Sequence, residues 1–343
     1  FQVSQTNIDY ICIMTDNIDI LHRKLLITIL LMALCSCGGR RPVSPDDSKA
    51  TVTRFDLDVF RYPDMDSAAR NAFRDSYARV LPVLLMNTAV SDSAVNAYAN
   101  SRAVKVFTPD IMSRYDSHDS VEKVLGAIMA AKHRLMPELQ WPRMYGIVSP
   151  YNQSIIMTDS IMLIGLNHYL GADYEGYGYF DSYLRHIKTA RHMPYHIVEA
   201  VLAGSHPFIP DEKQTALSRM LYEGALLKSI EMLMPGFNLA DALGYDSAQL
   251  DLIKSHEADI WNTLIAKRLL FSTVATVADR LVNPAPYTSI IGPEVPGRAG
   301  RYIGYRIVDS YLRHNDVTGP QDILSSDFYN SRNTLVKSEY SPR

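Results

Sequence analysis

The chain is poor in cysteine, in strongly apolar runs and in excess charge of either sign, and each shortage excludes something. Of its 343 residues only Cys12, Cys35 and Cys37 are cysteines, all near the start. The body after Cys37 therefore has no disulfide, no cysteine nucleophile and no thiolate metal site, and its stability has to come from an ordinary hydrophobic core. The most apolar segment, around Leu25 to Leu34, is shorter than the roughly 20 residues needed to span a bilayer. Lys and Arg number 34 against 37 Asp and Glu, a formal net charge of -3 with no long basic run, which argues against nucleic acid as a partner. Nucleophile-elbow, phosphate-loop, dinucleotide and calcium-loop spacings are also missing.

What is present begins with an address. His22-Arg23-Lys24, the apolar stretch to Leu34 and then Cys35-Ser36-Cys37-Gly38 follow the plan of a secretory signal. Leu34 and Ser36 stand three and one positions before Cys37, the pattern of a bacterial lipobox with Cys37 as the acylated residue. The expected division is residues 1–13 as non-native upstream sequence, with Met14 as a plausible start; 14–36 as signal peptide; 37–50 as anchor and polar tether; and 51–343 as one domain. Acyl chains such as palmitate on Cys37 would contribute about 0.8 kcal/mol per buried methylene and hold the protein on a membrane without a spanning helix.

In the body, Phe55, Leu57 and Val59 alternate with polar residues and predict a short extended segment. Ala69, Phe73, Tyr77, Val80 and Leu84 recur at helical spacing, with Pro82 expected to kink or end the helix. Thr108-Pro109-Asp110 reads as a helix start, followed by a long helix with Val121, Val124, Leu125, Ile128 and Met129 on its apolar face and an end near Pro137. Tyr145 to Val148, Ser154 to Met157 and Ile161 to Leu166 are short apolar runs separated by turn residues, hence strands of a small sheet. Helical patterns resume around 179–190, 194–203, 212–234, 247–281 and 298–313. The fold class is helix-rich α+β with a small sheet in a single domain.

Potential chemistry concentrates in Arg191-His192-Met193-Pro194-Tyr195-His196-Ile197-Val198-Glu199. Pro194 suits a first helical turn, so His196 and Glu199 share a helix face and are expected to hydrogen-bond to each other. A zinc helix carries two histidines at i and i+4 around a glutamate, and here Val198 and Leu202 take both histidine positions. Glu223, on a second strongly apolar helix beside Gly224, is expected to face inward or into a cleft. Gly297, Gly300 and Gly304 admit two readings: an anion site at a helix start with Arg298 or Arg301, or a smooth face for close helix packing. The 21 tyrosines against 10 phenylalanines fit half-buried positions in a wet core, which is the commoner meaning of such an excess, with a glycan-binding surface around Tyr174 to Tyr183 as the alternative.

The lipobox, Phe55-Asp-Leu-Asp-Val-Phe60, Leu166-Asn-His-Tyr-Leu-Gly171, Arg191 to Glu199, Tyr222-Glu-Gly224, Ile260-Trp261, Pro284-Ala-Pro286-Tyr-Thr288 and, most specifically, Pro296 to Tyr311 together resemble the gliding motility-associated lipoprotein GldB family. The resemblance implies the cell envelope of Bacteroidota and, in gliding members, surface movement. It also implies a distant likeness to zincin-type metallopeptidases. On that likeness Glu199 matches the catalytic glutamate and Glu223 the third ligand, with both histidines replaced. The resulting expectation is a pseudo-metallopeptidase: no cofactor, no metal site and no catalytic residue, with Glu199 and Glu223 as remnants. His192, His196 and Arg298 then serve a cleft or interaction surface for an envelope protein partner. A metal-dependent hydrolase using His192, His196, Glu199 and Glu223, and a glycan-binding lipoprotein, are the alternatives. Arg40-Arg41 beside the anchor, in place of acidic residues, predicts a periplasm-facing domain.

Overall fold

The computed structural model describes residues 10–12, 50–115, 119–212 and 214–342. The expected signal segment, Cys37 and the expected tether up to residue 49 lie outside the described residues. The sheet contains β1 (Tyr10–Cys12), β2 (Val52–Thr53), β3 (Arg143–Ile147), β4 (Ile155–Met157) and β5 (Ile161–Gly165) in the order β1-β4-β5-β3-β2. In the body, β2, β3 and β5 run parallel while β4 turns back antiparallel to β5; Tyr10–Cys12 adds a parallel edge to β4. The β4–β5 turn closes through the Thr158 N–H, which donates to the Ile161 carbonyl at 2.9 Å. All five residues of β5 are buried, as expected of a strand covered on both faces.

Before the sheet come α1 (Phe55–Phe60), α2 (Ser67–Ser76), α3 (Val80–Leu85), α4 (Asp92–Ala99), α5 (Arg102–Arg114) and α6 (Asp119–Leu135). After it come α7 (Ser182–Arg185), α8 (Met193–Ser205), α9 (Ala216–Leu233), α10 (Leu239–Leu243), α11 (Ser247–Ser255), α12 (Glu257–Ala266) and α13 (Ala275–Val282). The last are α14 (Ala299–His314), α15 (Pro320–Ile323), α16 (Ser326–Tyr329) and α17 (Arg332–Ser338). One continuous core joins the helices to the sheet, so the expected helix-rich α+β domain is what the chain forms.

Five local expectations are corrected. Residues 55–60 form α1 rather than an extended segment, because Phe55, Asp56 and Val59 are the buried set and Arg54 clamps the Asp56 carboxylate at 2.7 and 2.8 Å. Alternation of apolar residues was a poor guide where a buried aspartate took part in the inner face. Thr108-Pro109 does not start a helix: Pro109 lies inside α5, whose cap is Ser101, and buried Val104, Thr108 and Ile111 hold one face together across the proline. The expected helix from Asp66 breaks at Tyr77–Arg79, and Pro82 falls in the first turn of α3, where its missing N–H costs nothing. The 247–281 pattern divides into three helices, while 179–190 holds only α7 and irregular chain.

α9 is apolar almost all round and runs through the middle of the body, as a helix without a polar face must. α14 crosses it where Gly224 meets Gly304. A Cβ on Gly304 would overlap the Met220 carbonyl, and one on Gly224 would overlap the Gly304 backbone. Gly300 similarly lies against Leu281 of α13. The smooth-face reading of the glycines is thereby the correct one. It also predicts that Gly304→Ala forces the helices apart and lowers unfolding free energy by about 3 kcal/mol, at the upper end for overpacking. Urea denaturation measures this; an unchanged midpoint would show that the crossing is not tightly held.

Candidate functional site

α8, α9 and α14 bring together the residues on which the sequence placed its chemistry. Glu199 projects from the middle of α8 and Glu223 from α9, and both are 3% exposed. Between them lies Arg301, one turn before Gly304 on α14 and only 1% exposed. Its Nη2 donates to Glu199 Oε1 at 2.7 Å, while its Nε stands 3.6 Å from Glu223 Oε2. Arg219, one turn back on α9, reaches the other Glu223 oxygen at 2.9 Å and lies over the rings of Phe208 and Tyr222. Two arginines thus neutralise two carboxylates within a dry crossing of three helices. Removing one member of such a set leaves its partner charged and desolvated, at a cost of about 3–5 kcal/mol.

The expected hydrogen bond between His196 and Glu199 is not formed, because each finds a different partner. Glu199 turns to Arg301, and His196 Nδ1 meets the Tyr169 hydroxyl at 2.9 Å. His192 Nδ1 pairs with Thr189 Oγ1 at 2.8 Å, and its Nε2 faces Asp241 at 3.8 Å. Arg191 holds the same Asp241 at 2.7 Å. Burial is the first cause that pushes both imidazoles down: His192 to about 4, helped by His186 and Arg191, and His196 well below its ordinary value, helped by His192, Lys188, Arg298 and Arg301. Both rings are accordingly neutral at pH 7.

Arg298, the third residue expected at a cleft, caps α14 in a left-handed backbone conformation with φ 64°. Its Nη1 donates to the Leu243 carbonyl at 2.9 Å, and it borders a crevice of only about 30 Å³ with Tyr183, His186 and Tyr245. The helix start itself is closed to an anion. Thr288 Oγ1 accepts the Ala299 N–H at 3.1 Å while donating to the Pro296 carbonyl at 2.6 Å, and Tyr245 donates to Gly297 O. The Pro284–Thr288 motif is therefore a clasp on the α14 start.

Sequence reasoning missed Arg219, Asp241 and Lys188. Lys188 is fully buried, donates to Ser154 Oγ at 2.9 Å and lies 4.2 Å above the Phe180 ring. Burial, assisted by Arg298, pulls its ammonium down to about 7. Nothing local in the sequence marks it, since the segment around it is irregular chain. The glycan reading fares no better with its tyrosines: Tyr177 is buried and holds the Leu170 N–H, Tyr174 is tied to Asp110, and Tyr179 is the one left largely exposed.

A zinc ion does not fit these donors. The space between Glu199 and Glu223, which a shared cation would have to take, holds the Arg301 guanidinium, and both histidines use ring nitrogens on hydroxyl partners. Among the described residues no three of His, Cys, Asp and Glu gather as a ligand set.

Two measurements follow. Arg301→Met should lose about 3–5 kcal/mol of stability, and adding Glu199→Gln should recover more than half of it, because Glu223 keeps Arg219 and the stranded Glu199 charge is then gone; equal losses in the single and double variants would refute the coupling. The depressed Lys188 binds fewer protons folded than unfolded between pH 7 and 10.5, so stability should rise with pH from 7 towards 9, below the range where unfolded-state tyrosines ionise. Lys188→Met should flatten that rise in thermal melts.

No curated protein and no solved structure matches the chain. The family profile described as "Gliding motility protein GldB" matches residues 40–342, which takes in α8, α9, α14 and the Thr288 clasp. With nearly the whole body inside that match, the chain belongs to the GldB family of gliding motility lipoproteins, and its role is one of the cell envelope related to gliding motility.

Proposed function

We propose that this protein is a noncatalytic lipoprotein, anchored through acylated Cys37 and facing the periplasm, that uses a rigid helical body to hold an envelope protein partner in gliding, secretion or a related assembly. The observation that carries this reading is Arg301. A peptidase needs a carboxylate free to take a proton from water and a Lewis acid to polarise it. Glu199 instead accepts a charge-assisted bond from a guanidinium that stays protonated at any working pH. Its reactive lone pairs are turned into structure.

The anchor reading draws on two further points. No described helix is long and apolar enough to cross a membrane. The family match begins at residue 40, three positions after Cys37, and the described body resumes at Ala50. Thirteen residues fully extended reach at most about 45 Å, so a body tethered at Cys37 works close to the bilayer surface.

Cys37→Ser should abolish incorporation of labelled palmitate and release the protein from washed membranes, while Cys35→Ser should do neither. Intact cells should protect the body from added protease until the outer membrane is permeabilised. Labelling of the Cys37→Ser protein would remove the anchor, and ready digestion in intact cells would place the domain outside.

A further inference from the structure

Among the described residues, cleavage before Cys37 would change the surroundings of the β4 edge, where Tyr10–Cys12 pairs. In β4 the Ser154 carbonyl and the Thr158 N–H bond towards β5, as acceptor from Gly165 at 2.8 Å and donor to Ile161 at 2.9 Å. By the alternation of an antiparallel pair, the backbone groups of Ile155 and Met157 face the other side. Tyr10–Cys12 occupies that side, parallel, with Tyr10 opposite Ile155, Ile11 opposite Ile156 and Cys12 opposite Met157. These three residues precede Cys37. A start at Met14 would omit them, and cleavage before Cys37, which the anchored reading requires, would remove them in either case.

Beyond Met157 the same edge runs into a cavity of about 680 Å³, with Met136, Leu139, Pro142, Met157 and Val201 in its wall. Thr158 and Asp159, next along the chain from β4, also line it. A strand continuing parallel past the Cys12 position would pass directly into this space. The cavity wall is apolar, but the edge beside it presents backbone donors and acceptors. An acyl chain could fill the first and leave the second unsatisfied, whereas an extended peptide satisfies both. His206 has a buried Nδ1 without a hydrogen-bond partner in the wall, and exposed Glu138 and Asp159 make the rim acidic.

We infer that in the processed lipoprotein the β4 edge and the adjoining cavity dock an extended apolar strand of a protein partner, added parallel to Ile155–Met157 with its side chains in the Leu139–Val201 cavity and basic residues favoured at the rim. The inference rests on the proposed cleavage at Cys37 and names the surface on which the proposed partner sits. It explains why a body whose former catalytic positions are filled would still keep a large apolar cavity: the binding surface lies at the end of α8, away from Glu199.

The test uses the processed lipoprotein, purified from membranes and placed in phospholipid nanodiscs, with intact mass reporting cleavage. The probe is a fluorescent peptide of residues 8–13 with serine in place of Cys12. Saturable binding is expected, weakened at least tenfold by Met157→Pro, which removes an edge donor, by Ser205→Trp, which fills the cavity mouth from an exposed position, and by aspartate at Ile11 of the peptide. Thermal melts accompany each variant, and Ser205→Trp keeps the test decisive should Met157→Pro unfold. A cleaved protein that ignores the peptide, or binds it equally in all variants, overturns the docking edge alone. A mass that retains residues preceding Cys37 overturns the edge and the anchored reading together.

Discussion

The Arg301 guanidinium is the constraint around which the rest is arranged. A buried arginine between two buried glutamates is tolerable only if every charge has a partner at contact distance, and that requires three helices to be placed to within a fraction of an ångström. The glycines make this possible. Gly304 lets α14 approach the Met220 carbonyl, and Gly224 accepts the Gly304 backbone in return. Arg301 is one turn from Gly304, and Glu223 is adjacent to Gly224, so the same close crossing that removes side chains from the interface brings the charges into it. α8 then has little freedom, because Glu199 has to reach the remaining guanidinium nitrogen.

Much of this was legible in the sequence, and the pattern of misses has a physical cause. The β3, β4 and β5 runs and the long helices α6, α8, α9 and α14 show in the sequence because their apolar residues outnumber everything else on the buried side. Glu223 could be expected to face inward, because no polar face exists on α9 to receive it. The error at α1 arose from treating Asp56 as an outward residue, and the error at Pro109 from treating a proline as a boundary when tertiary packing spans it. The partner choices of Glu199 and His196 lay beyond reach, since the partners come from 102 residues downstream and 27 upstream. Local spacing reports which side chains share a face, not which distant side chain arrives there.

The motifs that carry the family resemblance also acquire separate jobs when placed in three dimensions. Asn167 accepts the Ser149 N–H at 2.8 Å and donates to its carbonyl at 3.1 Å, so that one side chain closes the end of β3 like a piece of strand. Tyr169 takes His196, His168 meets Ser154, and Ser154 in turn receives Lys188. The Thr288 hydroxyl fastens the start of α14. These contacts fix the relative positions of the sheet, α8 and α14.

A scaffold reading also accounts for where open space remains. In a working hydrolase the deepest cleft and the best-placed acid–base groups coincide, because substrate must touch both. Here they are separated. The carboxylates are sealed around Arg301 in the middle of α8, whereas the large apolar cavity opens at the helix's far end, against Met157 and the sheet edge. α8 therefore carries two unlike surfaces on one rigid rod: an interior charge cluster that fixes its pose, and a terminal wall facing a space a partner could enter. The first determines how precisely the second is presented, because a side-chain cluster that fixes the pose of α8 also fixes the wall at its end.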